Sequence, residues 1–362
     1  MSHVIVVGAG AIGTHLGGHL VRMPWVSQLT IIDRGVYEES NWRGQDIAIR
    51  DLGRPKAAVQ AQRLRDINPS IAVNPIHGDL EDLPLGQLKG DVILACLDSR
   101  RARLVVNQSA WRLGVPWINA GIDATGLLAR VQVFVPAANT CCLECAFDSR
   151  DYELVEQTYP CQAQGLEIAT AAPSALGALA AALQAVECQK LLSGDHEGLL
   201  SGRDVLLDAR HHRHYVTTFG RNPECRMPDH ETWRITTLNV GPSHMTLQEL
   251  TALGRTLEGA NGGLRIAVAG QQIANALTCP ACRDRREAWI LQRAVRHSPP
   301  RCPRCDCMLA VNGFDLYDSV AADDIPRREL DSPLADHGLL ARDVLTLATP
   351  AGETHFELGG TQ

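Results

Sequence analysis

Gly8, Gly10 and Gly13 stand at GxGxxG spacing, after an apolar run at residues 3–7 and before a stretch of helical spacing at residues 11–22. Glycines so placed let backbone amides and a helix N-terminus approach phosphate oxygens without side chains in the way. Asp33, twenty residues past Gly13, closes a second apolar run at residues 29–32. An acid there accepts hydrogen bonds from ribose hydroxyls. The two features together predict the phosphate-and-ribose end of a Rossmann-type unit. They do not choose between NAD and ATP.

Cysteine is the second source of chemistry, with twelve in the chain. Cys279-Pro-Ala-Cys282 and Cys302-Pro-Arg-Cys305 are two knuckles nineteen residues apart, the spacing of a structural zinc ribbon. Four thiolates on two tight turns suit tetrahedral zinc. Cys307 reads as a bystander, and Cys96 and Cys188, in apolar surroundings, as core filler. Clustered at CxxC-like spacing, the cysteines read as metal ligands or catalytic thiols rather than disulfides. His211, His212 and His214 are either a metal site or, more simply, an exposed strand edge.

The elements that must position these residues alternate. Helical spacing at 55–68, a strand at 91–97, a helix at 101–113 and a strand at 115–119 continue the first βαβ unit. Such alternation implies an α/β fold, a Rossmann-like mostly parallel sheet with helices on both faces. Residues 127–136 read as antiparallel strand. Residues 174–192 form a helix apolar on nearly every face, to be buried in the core or between subunits. The pattern changes near residue 231. The expected domains are 1–231 and a smaller C-terminal α+β domain, 232–362, containing the zinc ribbon at 279–305, with strand, helix and strand at 235–240, 246–257 and 264–269.

A formal charge of −7 and the lack of a Lys/Arg run argue against a nucleic-acid partner. The sequence has no run of roughly 18 uncharged apolar residues and no signal-peptide pattern, so no membrane partner and a cytoplasmic location are expected.

Downstream of Asp33 stand Ser40-Asn41-Trp42-Arg43-Gly44-Gln45, Gly53-Arg54-Pro55-Lys56, Ile67-Asn68-Pro69 and Ala95-Cys96-Leu97-Asp98-Ser99. In this order and spacing they resemble the E1-like activating-enzyme family of ThiF/MoeB type, over residues 3–230. The resemblance implies ATP-dependent adenylation of a ubiquitin-like or sulfur-carrier protein ending in glycine. Asp33 would hold the ribose, Asn41 and Lys56 the phosphates, and Asp98 a magnesium ion. It further implies a homodimer and a zinc site whose first half is Cys142 and Cys145. The second half would be Cys225, with His230 standing in for a final cysteine. Cys161 takes the place of the cysteine that accepts the activated carboxyl as a thioester. Two departures bear on activity. Gly44 stands where the family has an arginine, with Arg43 one position early, and an N-terminal arm carrying a further arginine has no counterpart before the first strand. Arg43, Arg50 or a partner is expected to supply that charge; otherwise adenylation is weak.

Residues 339–347 and 354–358 look similar to the end of a ubiquitin-like β-grasp, which would recruit an E2-like protein. Two alternatives stand beside the activating enzyme: a catalytically weak E1-like scaffold, and an NAD-dependent oxidoreductase resting only on the glycine turn and Asp33.

Overall fold

The computed structural model describes residues 1–156, 173–227 and 230–360. It comprises two compact units, Met1–Leu80 with Leu88–Thr232, and Glu81–Gln87 with Trp233–Gln362.

In the first unit the chain runs β1 (Ser2–Val7), α1 (Gly13–Leu20), β2 (Val26–Asp33), α2 (Lys56–Ile67), β3 (Ala72–His77), β4 (Val92–Ala95), α3 (Arg100–Leu113) and β5 (Trp117–Asp123). β6 (Leu128–Phe134), α4 (Ser149–Glu156), α5 (Ser174–Ser193), β7 (Arg203–Asp208) and β8 (Arg213–Thr218) follow. The eight strands form one sheet in the order β3-β2-β1-β4-β5-β6-β7-β8. Pairing is parallel from β3 to β5 and antiparallel from β5 to β8. All four residues of β4 are buried, as a central parallel strand covered on both faces requires.

Local signals set the helix ends. The Ser99 hydroxyl caps α3 by accepting from the Ala102 N–H at 3.3 Å, and Gly114, at φ +66°, closes it in the left-handed region. α1 is shorter than its spacing suggested, because Ala11 and Ile12 belong to the turn. β3 was not anticipated: it is an edge strand that carries Pro75 and exposes half its residues, so it lacks a continuous apolar signature.

α5 is long and apolar enough to cross a membrane by length and composition alone. Its inward face is that of a core helix. Gln184 is fully buried and donates to the carbonyls of Ala95 and Ile118 at 3.2 and 2.8 Å, while buried Glu187 accepts from the Leu200 N–H at 3.0 Å. These bonds fasten the helix to the sheet beneath the strand ends that matter for the site.

The second unit is built from β9 (Ile235–Thr237), α6 (Leu247–Arg255), β10 (Arg265–Val268), β11 (Ile273–Thr278), β12 (Arg285–Leu291), α7 (Gln292–His297), β13 (Leu316–Tyr317), β14 (Ser319–Ala321), β15 (Val344–Thr349) and β16 (Gly352–Glu357). A five-stranded sheet in the order β14-β10-β15-β16-β9 carries α6, and β12-β11-β13 form a second, smaller sheet. Thr246 and Glu249 form a reciprocal capping box at the start of α6. The anticipated tail is the antiparallel hairpin β15–β16, and β9 lies parallel to β16. Arg293 on α7 and Asp343 form a fully buried ion pair, with Arg293 also donating to the Gly338 carbonyl.

Candidate active site and metal centres

The glycine turn is shaped by two contacts that admit no side chain. A Cβ on Gly8 would lie 2.4 Å from the Cys96 carbonyl oxygen, and one on Gly13 would lie 1.9 Å from the Gly8 carbonyl oxygen. Gly8 also has φ +99°, which disfavours any L side chain. Gly10, by contrast, has nothing within 4 Å of the Cβ position, so the open side of the turn lies over it. The first turn of α1 begins here, with the Thr14 N–H donating to the Gly10 carbonyl at 3.1 Å and the His15 N–H to the Ile12 carbonyl at 3.0 Å; a helix N-terminus is the end that favours an anion.

Asp33, at the end of β2, is held by two backbone amides. The Ala9 N–H donates to its Oδ2 at 2.7 Å and the Gly35 N–H to its Oδ1 at 2.6 Å. Lys56 converges on the same place. Its N–H donates to the Gly35 carbonyl at 2.9 Å as α2 begins, and a Cβ on Gly35 would lie 3.0 Å from Asp33 Oδ1 and 3.1 Å from Lys56 Cε. Lys56 Nζ sits 5.3 Å from the Tyr37 ring centroid and 3.5 Å from Gln45 Oε1. Tyr37, buried, donates its hydroxyl to the Ala9 carbonyl at 3.2 Å and accepts from Gln60 at 2.9 Å; burial pushes its phenol well above the usual range. Tyr37, Gln60 and Gly35 were not singled out from the sequence. The turn-forming Gly35 two residues after the acid was their one visible trace.

The remaining candidates are near at hand in sequence but differently engaged. The Asn41 side-chain oxygen accepts from the Glu38 N–H at 3.0 Å, ending a short helical turn. The Arg43 guanidinium lies 5.5 Å from the ring of exposed Trp42, and Gly44 is buried. Asp98 is exposed just past the C-terminal end of β4, the edge at which parallel α/β sheets bind ligands. Arg103, one turn into α3 and also missed in the sequence, donates from Nε and Nη2 to the Leu97 carbonyl at 3.2 and 2.5 Å. Burial lowers the affinity of this guanidinium for its proton and the nearby Asp98 charge opposes that. The absence of a side chain on Gly121 makes room for it, the built Cβ being 3.2 Å from Arg103 Nη2. Cys161 lies outside the described residues.

Cys142, Cys145, Cys225 and His230 form one cluster, and Cys279, Cys282, Cys302 and Cys305 another; in each, the four donor atoms lie within 4.8 Å of one another. In the first, Cys142 Sγ is 3.8 Å from Cys145 Sγ and 3.6 Å from Cys225 Sγ, and Cys145 Sγ is 3.4 Å from His230 Nε2. In the second, Cys279 and Cys305 are 3.4 Å apart and Cys282 and Cys302 3.6 Å. A disulfide requires about 2.05 Å. Tetrahedral zinc with Zn–S of about 2.3 Å puts neighbouring sulfurs about 3.8 Å apart, so both donor sets fit zinc. The Cys282 N–H hydrogen bond lowers the Cys279 thiol below its usual range, while its coupled neighbours Cys282 and Cys305 are shifted upward.

Elsewhere, Cys96 and Cys188 are buried core residues, each pushed up to about 12 by burial. His211 bonds Asp208 at the β7–β8 turn and His214 lies on exposed β8, so this histidine run is a strand edge.

The ThiF family model matches residues 1–227. The chain belongs to the ThiF family. Among curated relatives it is 28% identical over 229 residues to molybdopterin-synthase adenylyltransferase of Escherichia coli, covering 62% of this chain and 86% of that one. It is 28% identical over 229 residues to the SAMP-activating enzyme E1 of Haloferax volcanii, 62% and 79% of the two chains. The ThiS adenylyltransferase of Bacillus subtilis is 33% identical over 154 residues, 41% of this chain and 44% of the relative. Among solved structures, E. coli MccB with ATP superposes with a TM-score of 0.52 at 22% identity, covering 63% of this chain and 66% of that one, a likeness of fold. This ThiF-family chain is therefore an enzyme of E1-like adenylyltransferase type, with a Rossmann-like sheet as its nucleotide-binding frame. Residues from Trp233 onward, the larger part of the second unit, lie beyond the ThiF match.

Proposed function

We propose that this ThiF-family chain uses ATP to adenylate the C-terminal carboxylate of a small ubiquitin-like or sulfur-carrier protein ending in glycine. The observation that carries the reading is that Asp33, bound to the glycine turn through the Ala9 N–H, meets Lys56 at Gly35, which sets an acid for ribose and a cation for phosphate close together.

The roles follow from charge. Asp33, already positioned by two amides, accepts from ribose hydroxyls. Lys56 and the N–H groups of the turn hold phosphate oxygens, and the cation offsets negative charge that grows on the α-phosphate as a carboxylate attacks it. Asp98, exposed at the strand end, is the residue that would hold magnesium, which supplies further neutralisation of the phosphates. Arg103 steadies the Leu97–Asp98 segment. Asn41 and Arg43 lie on the loop beside the turn, and Arg43 is the nearest cation to the Gly44 departure. Cys161 is assigned as the thiol that takes the activated carboxyl, with pairing into a homodimer. The two cysteine clusters are assigned as structural zinc sites, and the second unit as the part that meets an E2-like protein.

The stacking of Arg43 with Trp42 beside Gly44 favours a second reading, in which the chain is a weak scaffold that binds ATP but adenylates poorly. Pyrophosphate exchange into ATP, run with small carrier proteins ending in glycine, separates the two. Exchange that vanishes in Asp98→Ala supports adenylation, whereas ATP binding without exchange supports the scaffold.

A further inference from the structure

Ser174 at the start of α5 and His15 on α1 form a pair of side chains that the proposed nucleotide site does not use. Ser174 Oγ lies 3.1 Å from His15 Nε2, joining the first residue of α5 to α1. One turn further along, Gly177 abuts the glycine turn so closely that a Cβ would stand 2.2 Å from the Ala11 carbonyl oxygen. The pair is thus about one helical turn, some 5 Å, from the segment that cradles the nucleotide.

The surroundings of His15 suit a base. The charged groups that reach it are Asp46, Arg63 and His19. Asp46 is anchored beside it, its N–H donating to Thr14 Oγ1 at 3.1 Å while Arg63 bonds its carboxylate at 2.9 Å. Burial is the largest influence on the imidazole and moves it below its usual value, so the ring is neutral near pH 7 and can accept a proton. Ser174 is half-buried and opens a 20-residue helix, whose N-terminal partial positive charge favours an oxyanion. Competing thiols are poorly placed among the described residues of this unit. Burial keeps Cys96, Cys141 and Cys188 protonated, and Cys142, Cys145 and Cys225 belong to the metal cluster.

We propose that Ser174, with His15 as its base, is a second acyl-accepting nucleophile in addition to the Cys161 thiol, one that takes the acyl group directly from the acyl adenylate. The proposal rests on the adenylation reading for its substrate. In the step, Ser174 Oγ bonds to the acyl carbon and the bond from that carbon to the AMP phosphate oxygen breaks. The electron pair leaves on AMP and the serine proton passes to His15 Nε2. The product is an oxyester; once His15 has lost its proton to solvent, it takes one from an amine, a thiol or water that attacks the ester carbon and passes it to the departing Ser174 oxygen.

A fluorophosphonate probe tests the pair in the full chain without ATP or carrier, so its outcome is independent of pyrophosphate exchange. The serine oxygen bonds to phosphorus, fluoride leaves, and peptide mass mapping locates the adduct. The expected result is an adduct on Ser174, absent in Ser174→Ala and slowed at least about a hundredfold in His15→Gln, which keeps a hydrogen-bond partner but takes no proton. No adduct on Ser174, or equal rates in His15→Gln, overturns the proposal. Ser174→Cys gives a second reading through iodoacetamide: alkylation faster than in the Ser174→Cys/His15→Gln double variant supports the base, and equal rates contradict it.

Discussion

The Asp33 carboxylate accepts the Ala9 N–H at 2.7 Å, so the acid at the end of β2 is bound directly to the glycine turn that follows β1. On the proposed reading, this hydrogen bond sets the acid for ribose against the turn for phosphate. The second oxygen, bound to the Gly35 N–H at 2.6 Å, ties the same carboxylate to the segment leading to Lys56.

Gly13→Ala has nowhere to put its methyl group, because the built Cβ overlaps the Gly8 carbonyl oxygen, which is backbone and cannot rotate away. The variant is expected to lose at least about 2 kcal/mol of stability in denaturant melts, or to keep its fold by opening the turn and lose ATP affinity. Gly10→Ala, facing open space, is expected to leave stability unchanged and weaken nucleotide binding.

Both cysteine clusters are expected to hold zinc, so metal analysis of the purified chain should give two equivalents. Cys305→Ser and His230→Ala should each remove one, while His230→Cys, another zinc ligand, should retain it. Chelation should unfold the ribbon region first, seen as new proteolytic cuts between Cys279 and Cys305. Full retention of both metals in Cys305→Ser would contradict the assignment.

The glycine turn, Asp33 and the Cys279–Cys305 cluster were legible in the sequence because each depends on residue types at short or fixed spacing, whereas Lys56 and the Cys142, Cys145, Cys225 and His230 cluster followed only from the resemblance to the E1-like family. Elements set by tertiary context were less visible. β3 contains Pro75 and polar residues tolerated only at a sheet edge, and all of β8 is exposed, so neither shows the apolar run of β1 or β4. Arg103 escaped notice since nothing local distinguishes it from Arg100 or Arg101; its role comes from Gly121, eighteen residues on, and the Leu97 carbonyl. The pairing of His15 with Ser174 likewise spans 159 residues.

The buried ion pair of Arg293 and Asp343 gives a sharp stability prediction. Burial raises the Asp343 carboxyl above its usual range while Arg293 opposes that, so either partner left alone is a charge without water. Arg293→Met or Asp343→Ala should each cost about 3–5 kcal/mol, and the double variant should cost less than their sum. Additive losses in denaturant melts would show that the pair is not coupled.

His337 supplies a pH dependence. It is buried, its Nδ1 faces the Trp289 carbonyl, and burial holds its imidazole below the usual value near 6.5. The unfolded chain therefore binds a proton that the folded chain does not, over the interval between the folded value and about 6.5. Stability should fall as pH drops through that interval and level off below the folded value. His337→Gln should flatten this slope in thermal melts at pH 5 to 7; an unchanged slope would rule His337 out as its source.

Calorimetric titration of the full chain with Mg·ATP and with NAD tests the nucleotide cradle most directly. The structure predicts saturable binding of one Mg·ATP per chain, weakened at least about tenfold in Asp33→Ala and in Lys56→Ala, a loss of about 1.4 kcal/mol or more. NAD should bind far more weakly. Tighter binding of NAD, or Mg·ATP affinity unchanged in both variants, would contradict it.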